Sequence, residues 1–383
     1  MEHSILASLT PWGFGPDLSQ AFSSLASSLV SSLGSSPSPA LDAGRDLVPA
    51  RVVAHYGAYL EVADAACPAR RVQPSGRLRH TLQFEELPTV GDWVAITAPP
   101  GDEPALVHGI LPRRTQLIRR AAGKRHDGQV IAANVDTFFL VTSANRDANP
   151  RRLERYLTAV RDSGAAMVIV VNKTDVADPA ELAATLAGLT DVAPDVAIVP
   201  VSAHRGDGLA ALEPYLRPGH TVALIGSSGV GKSSLVNHWF GRAHQLVHVI
   251  DDNDRGRHTT SRRELFALPG GALVIDTPGM RELALLGTDE GLDETFADVA
   301  ALAAGCRFRD CRHQGEPGCA VDAAIDAGEL DEGRLAGLQK LERELAAAEL
   351  RRDRALARAE RTRMKAVNRS LRARGKLDPK LRR

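Results

Sequence analysis

The chain has 383 residues, 44% of them apolar and 25% charged, and its formal net charge is zero. That length is more than one ordinary core supports, so two or three domains are expected, and the composition is that of an ordinary globular protein. The neutral average hides an asymmetry, because residues 351–383 carry fourteen Lys and Arg against three acids, Asp353, Glu360 and Asp378, which points towards a polyanion.

Met1-Glu2-His3 lack the positive start of a signal peptide, and the uncharged stretch from Leu18 to Leu41 is about half Ser, Gly and Pro. Neither export nor a membrane span is expected, and the reading is cytoplasmic. Cys306, Cys311 and Cys319 crowd beside His313 while Cys67 stands alone, a metal pattern and not a disulfide framework.

Residues 1–47 open with Leu18, Phe22, Leu25, Leu29 and Leu33 at spacings of three and four, which predicts one amphipathic helix before the Ser-Ser-Pro-Ser-Pro linker. Residues 48–111 hold short Val, Leu and Ile-rich segments at 51–54, 58–62, 92–96 and 105–107, separated by Gly57, Pro74-Ser75-Gly76, Gly91 and Pro99-Pro100-Gly101. They predict a small antiparallel barrel of the OB type. Residues 112–129 form a basic connector with Arg113, Arg114, Arg119, Arg120, Lys124 and Arg125, which alone reads as a solvated loop. In residues 130–287, apolar runs at 137–141, 167–171, 196–201, 221–225 and 272–275 alternate with helical patterns. Such runs predict an α/β domain with a parallel sheet buried on both faces. Residues 288–383 are helical in composition.

Gly226-Ser227-Ser228-Gly229-Val230-Gly231-Lys232-Ser233 lies between a predicted strand and a helix beginning near Ser234, the context that a phosphate-binding P-loop requires. Its amides would curl round phosphate oxygens, Lys232 would reach the β- and γ-phosphates, and Ser233 would offer a hydroxyl to Mg²⁺. Asn172-Lys173-Thr174-Asp175 ends another strand, where the Asp175 carboxylate can accept both hydrogen bonds from the guanine N1–H and N2 amine. Adenine offers no such pair, so GTP is the expected nucleotide. Ser202-Ala203 resembles the loop that backs guanine in GTPases. Asp276-Thr277-Pro278-Gly279 supplies the second switch, with Asp276 for the Mg²⁺ shell and the Gly279 N–H for the γ-phosphate. Between it and the P-loop, Arg255-Gly256-Arg257-His258-Thr259-Thr260 occupies the place of the first switch, where either threonine could complete the metal shell.

The guanine-reading loops precede the P-loop, so the domain reads as a circularly permuted GTPase whose second switch leads directly into the C-terminal module. Met280 stands where many GTPases place the water-orienting Gln, which leaves that task to His258, to the backbone or to a partner. The spacing Cys306-x4-Cys311-x-His313-x5-Cys319 matches a closed structural Zn²⁺ site, one per chain.

Together these residues resemble the RsgA (YjeQ) family of ribosome small-subunit-dependent GTPases from about Val48 to the C-terminal helices. The permuted order, Gly256-Arg257-His258-Thr259-Thr260, Phe308-Arg309-Asp310-Cys311-Arg312-His313 and Glu316-Pro317-Gly318-Cys319 carry the resemblance. It implies an OB barrel, a permuted GTPase and a zinc domain that bind the 30S subunit late in its maturation, with GTP hydrolysed faster there. The family's catalytic histidine falls on His258 and its magnesium threonine on Thr260. Contacts to 16S rRNA by the barrel, the connector and the basic C-terminal helix are expected, from a chain acting as a monomer with no membrane partner. Ser261 replaces a common third threonine, and the N-terminal helix has no counterpart in the family's short basic leader. A nucleotide-gated RNA-binding module with slow, unstimulated hydrolysis is the alternative, motivated by Met280.

Overall fold

The structure is a computed structural model describing residues 7–31, 47–57, 59–81, 87–97, 105–120, 128–144, 150–227, 229–241, 263–276, 289–347 and 350. The chain divides into two compact units, one of Met1–Arg119 with Gln129–Ala297 and one of Arg120–Gly128 with Asp298–Arg383.

In the first unit, helix α1 (Pro16–Ser31) precedes strands β1 (Leu47–His55), β2 (Leu60–Ala63) and β3 (Arg70–Pro74), a short helix α2 (Gly76–Thr81), and strands β4 (Trp93–Thr97) and β5 (Ala105–Ile110). The strands run in the order β1-β2-β3-β5-β4, and β4 pairs back onto β1, which closes a five-stranded barrel of the OB arrangement. Among the described residues of the barrel, β3 and β5 are the one parallel pair. Ala50, Val52, Val62, Val72, Val94, Ile96 and Val107 fill the interior. The sequence pattern did not reveal β3, because Arg-Arg-Val-Gln-Pro offers a single large apolar residue and ends on a proline that reads as a breaker.

The apolar stripe of α1 covers the outside of this barrel. Leu18, Phe22 and Leu25 join Leu9, Phe14, Trp93 and Leu111 in one cluster, with the Phe14 and Trp93 ring centroids 4.8 Å apart. The fit against β5 is close, since a Cβ on Gly109 would lie 3.1 Å from Leu25. Beneath this cover Arg51 is fully buried. Its guanidinium donates to the Trp12 carbonyl, to the Asn134 carbonyl at 3.2 Å and to Thr221 Oγ1 at 2.8 Å, so one side chain ties the N-terminal segment, the barrel and the following sheet together. Burial lowers this guanidinium to about 10, which leaves it a cation at neutral pH.

The expected connector is partly a ribbon, formed by β6 (Gln116–Arg120) and β7 (Gly128–Ala133). Its charge is also not all solvated: Arg113 pairs with the buried Asp92 through two 2.8 Å hydrogen bonds. Then follow β8 (Thr137–Ser143), α3 (Pro150–Ser163), β9 (Ala166–Asn172), α4 (Pro179–Val192), β10 (Ala197–Pro200), β11 (Thr221–Ile225), α5 (Lys232–Phe240), β12 (Arg263–Ala267), β13 (Leu273–Asp276) and α6 (Asp289–Thr295). The order is β10-β9-β8-β11-β13-β12, parallel from β10 to β13, with β12 antiparallel.

Strand alternation explains the unbroken apolar runs. Phe138, Leu140, Ile169, Val171, Ala223, Ile225 and Ile275 share one core with Leu153, Leu157 and Val160 of α3. Their neighbours Phe139, Val141, Val168, Val170, Val222, Leu224 and Val274 share another with Leu235 and Val236 of α5. Strand β12, which no apolar run announced, pairs on its free side with β1 through Ala54↔Glu264 and His55↔Arg263, so barrel and parallel sheet form one eleven-stranded system.

The second unit contains α7 from Asp298 onward (Ala297–Ala303), α8 (Ala320–Asp326) and a helical stretch over 332–347. Val299, Val321, Ala324, Leu330, Leu335 and Leu341 are buried, and Arg334 clamps Asp298 through two 2.9 Å hydrogen bonds. The basic tail at 351–383 lies outside the described residues.

Truncating Leu18 to Ala removes buried apolar surface from the α1 cover. The expected loss is about 2–4 kcal/mol in urea unfolding, and a change below about 0.5 kcal/mol would show that α1 does not dock on the barrel.

Candidate functional site

Parallel strands bring their carboxyl ends to one edge, and a crevice opens where successive connections leave in opposite directions. Here that point lies between β8 and β11: the chain moves from β8 outward to β9 and β10, then returns to the far side of β8 as β11. The glycine-rich segment after β11 therefore starts at the centre of the sheet. Gly226 has φ 131° and its Cβ position lies 2.1 Å from the Val141 carbonyl oxygen, so no other residue fits that close approach. Gly229 and Gly231 also have left-handed backbones, and α5 begins at Lys232, which gives the loop the curl and helix start that favour an anion. Lys232 Nζ donates to the Gly226 and Ser227 carbonyls, which holds the ammonium over the loop. Ser233 and Ser234 form the exposed first turn of α5.

The guanine-type loops are pinned to this segment through Asn172. Its side chain is buried, donates from Nδ2 to the Val230 carbonyl at 2.8 Å, and accepts at Oδ1 from the Ala203 N–H at 3.0 Å. One carboxamide thus joins three loops that are far apart in sequence. Lys173 takes a left-handed backbone at φ 65°, and the Thr174 N–H reaches the Val201 carbonyl at 3.2 Å. Ser202 Oγ donates to Asp175 Oδ1 at 2.8 Å, and this hydroxyl is the main reason that the carboxyl sits below its usual range. Asp175 is thereby held as an acceptor-only carboxylate.

Asp276 ends β13, next to β11 on the same edge of the sheet. Ser228, Gly279, His258, Thr259 and Thr260 lie outside the described residues. No motif pointed to Arg152 near the start of α3, yet its guanidinium donates to Ser227 Oγ. Arg205 and His204, just beyond the Ser202-Ala203 pair, add positive potential near Asp175.

In the second unit the structure brings Cys306, Cys311, His313 and Cys319 together, with all four ligand atoms within 4.8 Å of one another. Cys306 Sγ lies 3.6 Å from His313 Nδ1 and 3.9 Å from Cys319 Sγ, and the last two atoms are 3.3 Å apart. Tetrahedral Zn–S bonds of about 2.3 Å place two sulfurs about 3.8 Å apart, so spacing and donor chemistry both fit zinc. The Ala320 and Asp322 N–H groups at the start of α8 point to Cys306 and Cys319 at 3.4 Å each, a supporting shell for thiolate ligands. Burial pushes the Cys319 thiol up to about 12, a proton that a bound cation would displace.

Residues 110–286 match the RsgA GTPase family. The chain is 54% identical over 294 residues to the small ribosomal subunit biogenesis GTPase RsgA of Opitutus terrae, covering 73% of this chain and 78% of that one. Among solved structures it is similar to YjeQ from Thermotoga maritima, with a TM-score of 0.58 at 26% identity over 79% of this chain and 99% of the other. It is also similar to YloQ, described as a circularly permuted GTPase, with a TM-score of 0.55 at 25% identity over 79% of this chain and 96% of the other. With the guanine-type loops ahead of the P-loop on a sheet of this topology, the chain belongs to the RsgA family of circularly permuted GTPases.

Proposed function

We propose that this protein hydrolyses GTP in the biogenesis of the small ribosomal subunit, binding the 30S particle late in its maturation and leaving it once GTP is cleaved. The observation that carries this reading is the Asn172 carboxamide, which links an Asn-Lys-x-Asp loop, a Ser-Ala loop and a P-loop into one guanine-nucleotide site. The Opitutus terrae relative, named a small ribosomal subunit biogenesis GTPase, supports the ribosomal part.

In this reading Asn172, Lys173, Asp175, Ser202 and Ala203 hold the guanine, and Gly226, Ser227, Ser228, Gly229, Val230, Gly231, Lys232, Ser233 and Ser234 hold the phosphates. Gly279 meets the γ-phosphate from the second switch. Ser233, Thr260 and Asp276 hold Mg²⁺, directly or through water, and the ion neutralises charge between the β- and γ-phosphates. His258 positions the attacking water, the task for which Met280 lacks the chemistry. One Zn²⁺ on Cys306, Cys311, His313 and Cys319 fixes the C-terminal module. The barrel, the connector and the basic tail contact 16S rRNA, and the protein acts as a cytoplasmic monomer. Among the described residues no helix is long and apolar enough to cross a membrane.

Met280 also favours a second reading, a nucleotide-gated RNA-binding module whose slow hydrolysis only resets it. Turnover measured with purified 30S and 50S subunits, with sedimentation of the bound protein, decides between the two. Stimulation and co-sedimentation with 30S alone are expected; no stimulation supports the module.

Asp175→Asn exchanges an acceptor for a donor facing guanine. Two charged hydrogen bonds at about 1.5–3 kcal/mol each predict a loss of about 100-fold or more in GTP affinity, and an unchanged affinity in a titration would contradict the assignment. His258→Ala is expected to leave GTP binding nearly intact while subunit-stimulated turnover falls by about 100-fold or more; normal turnover would place water positioning elsewhere. Chelation is expected to remove one zinc per chain and with it helical circular-dichroism signal from the C-terminal module. Retained helicity after metal loss would show that the site does not support folding.

A further inference from the structure

In the second unit, the residues between the first two cysteines of the cluster turn outward. The turn closes through the Cys311 N–H and the Phe308 carbonyl at 3.4 Å, and Arg307, Phe308, Arg309 and Asp310 are all exposed. Phe308 is 45% exposed, and among the described residues it is the one Phe, Tyr or Trp that faces solvent to this degree. The Arg307 guanidinium lies over its ring, 5.5 Å from the centroid. Backbone contacts fix the turn from both sides. The Arg307 N–H donates to the Gly318 carbonyl at 3.0 Å, and a Cβ on Gly318 would lie 3.1 Å from Arg307 Cβ. Exposed Arg312 follows the turn, its carbonyl accepting from Gln339 at 3.3 Å, and Arg343 lies one helical turn beyond Gln339. We propose that this turn is a stacking platform for an unpaired base of the bound RNA, with Phe308 against the base and Arg307, Arg309 and Arg312 serving the flanking phosphates.

Every base has a π face, so an exposed phenyl ring takes an unstacked base with little regard to sequence, and neighbouring arginines supply attraction for the backbone. The opposing charge is small. Asp310 is the one acid on the turn, and Glu316 directs its carboxylate onto the loop's own amides, accepting from the Arg312 and Gln314 N–H groups at 3.0 and 2.6 Å. An apolar protein pocket would accept the ring but would strand the cations beside it. The ribosomal occupant rests on the reading proposed above; the platform's affinity for a single-stranded base does not.

The wild-type protein, saturated with GDP and carrying ¹³C-labelled phenylalanine, tests the platform by NMR, with the Phe308 ring signal assigned from its loss in Phe308→Leu. A short single-stranded RNA of mixed sequence is expected to move that signal upfield in a saturable way, and the same RNA annealed to its complement to leave it in place. No shift, or an equal shift with the duplex, overturns the platform. For 30S subunits, with variants matched to wild type in metal content, Phe308→Ala is expected to weaken binding by about 5- to 150-fold, the loss of one stacked base. Phe308→Trp is expected to bind like wild type and Phe308→Leu like Phe308→Ala. Full binding by Phe308→Ala overturns the assignment to the subunit. Loss in Phe308→Ala that Phe308→Leu restores overturns the RNA occupant in favour of an apolar protein contact. If the wild-type protein does not bind 30S at all, the ribosomal reading fails while the titration with single-stranded RNA still judges the platform.

Discussion

A nucleotide site assembled from three separate loops needs something to hold the loops in register before the ligand arrives, and in this fold that task falls on the Asn172 carboxamide. It is buried, it spends both its donor and its acceptor on backbone groups, and those groups belong to the P-loop at Val230 and the Ser-Ala loop at Ala203. An Asp at this position would lose the donor and repel the Val230 carbonyl; a Ser or Ala would not span the gap. Gly231 belongs to the same constraint, since a Cβ there would come within 2.2 Å of Asn172 Nδ2. The permuted chain order has no bearing on this geometry, because the bonds depend only on where β9, β10 and β11 end.

The barrel is not an appended bead. Its strand β1 is shared, pairing with β2 and β4 to close the barrel and with β12 to extend the parallel sheet. The interior of β1 is consequently buried over six successive residues, and Arg51 within it bonds outward to three different segments. Strand β12 in turn pairs along β13, which ends at Asp276. A change at the second switch and a change in the barrel therefore act on strands of one hydrogen-bonded sheet, with β12 between them.

The parallel sheet was legible in the sequence because each strand is buried on both faces and reads as an unbroken apolar run; Thr221–Ile225 falls at its expected bounds. The P-loop, the two guanine-type loops and the cysteine cluster were legible because their chemistry fixes spacing. Strands β3 and β12 were hidden for the opposite reason: each is half exposed and rich in charge, so its pairing partners and not its own composition make it a strand. The stripe of α1 was visible, but its task was not, since nothing in Leu18, Phe22 and Leu25 says that Trp93 and Leu111 form the surface they cover. The role of Arg152 depends on tertiary register and has no local signature.

The most direct test of this account is the affinity of Asn172→Ala for GTP and ATP, measured by titration on the folded protein. Two buried hydrogen bonds at about 1 kcal/mol each predict GTP binding weaker by roughly 10- to 30-fold, with a smaller preference for GTP over ATP. Unchanged GTP affinity and unchanged preference would show that the three loops hold their positions without Asn172, and would contradict the account.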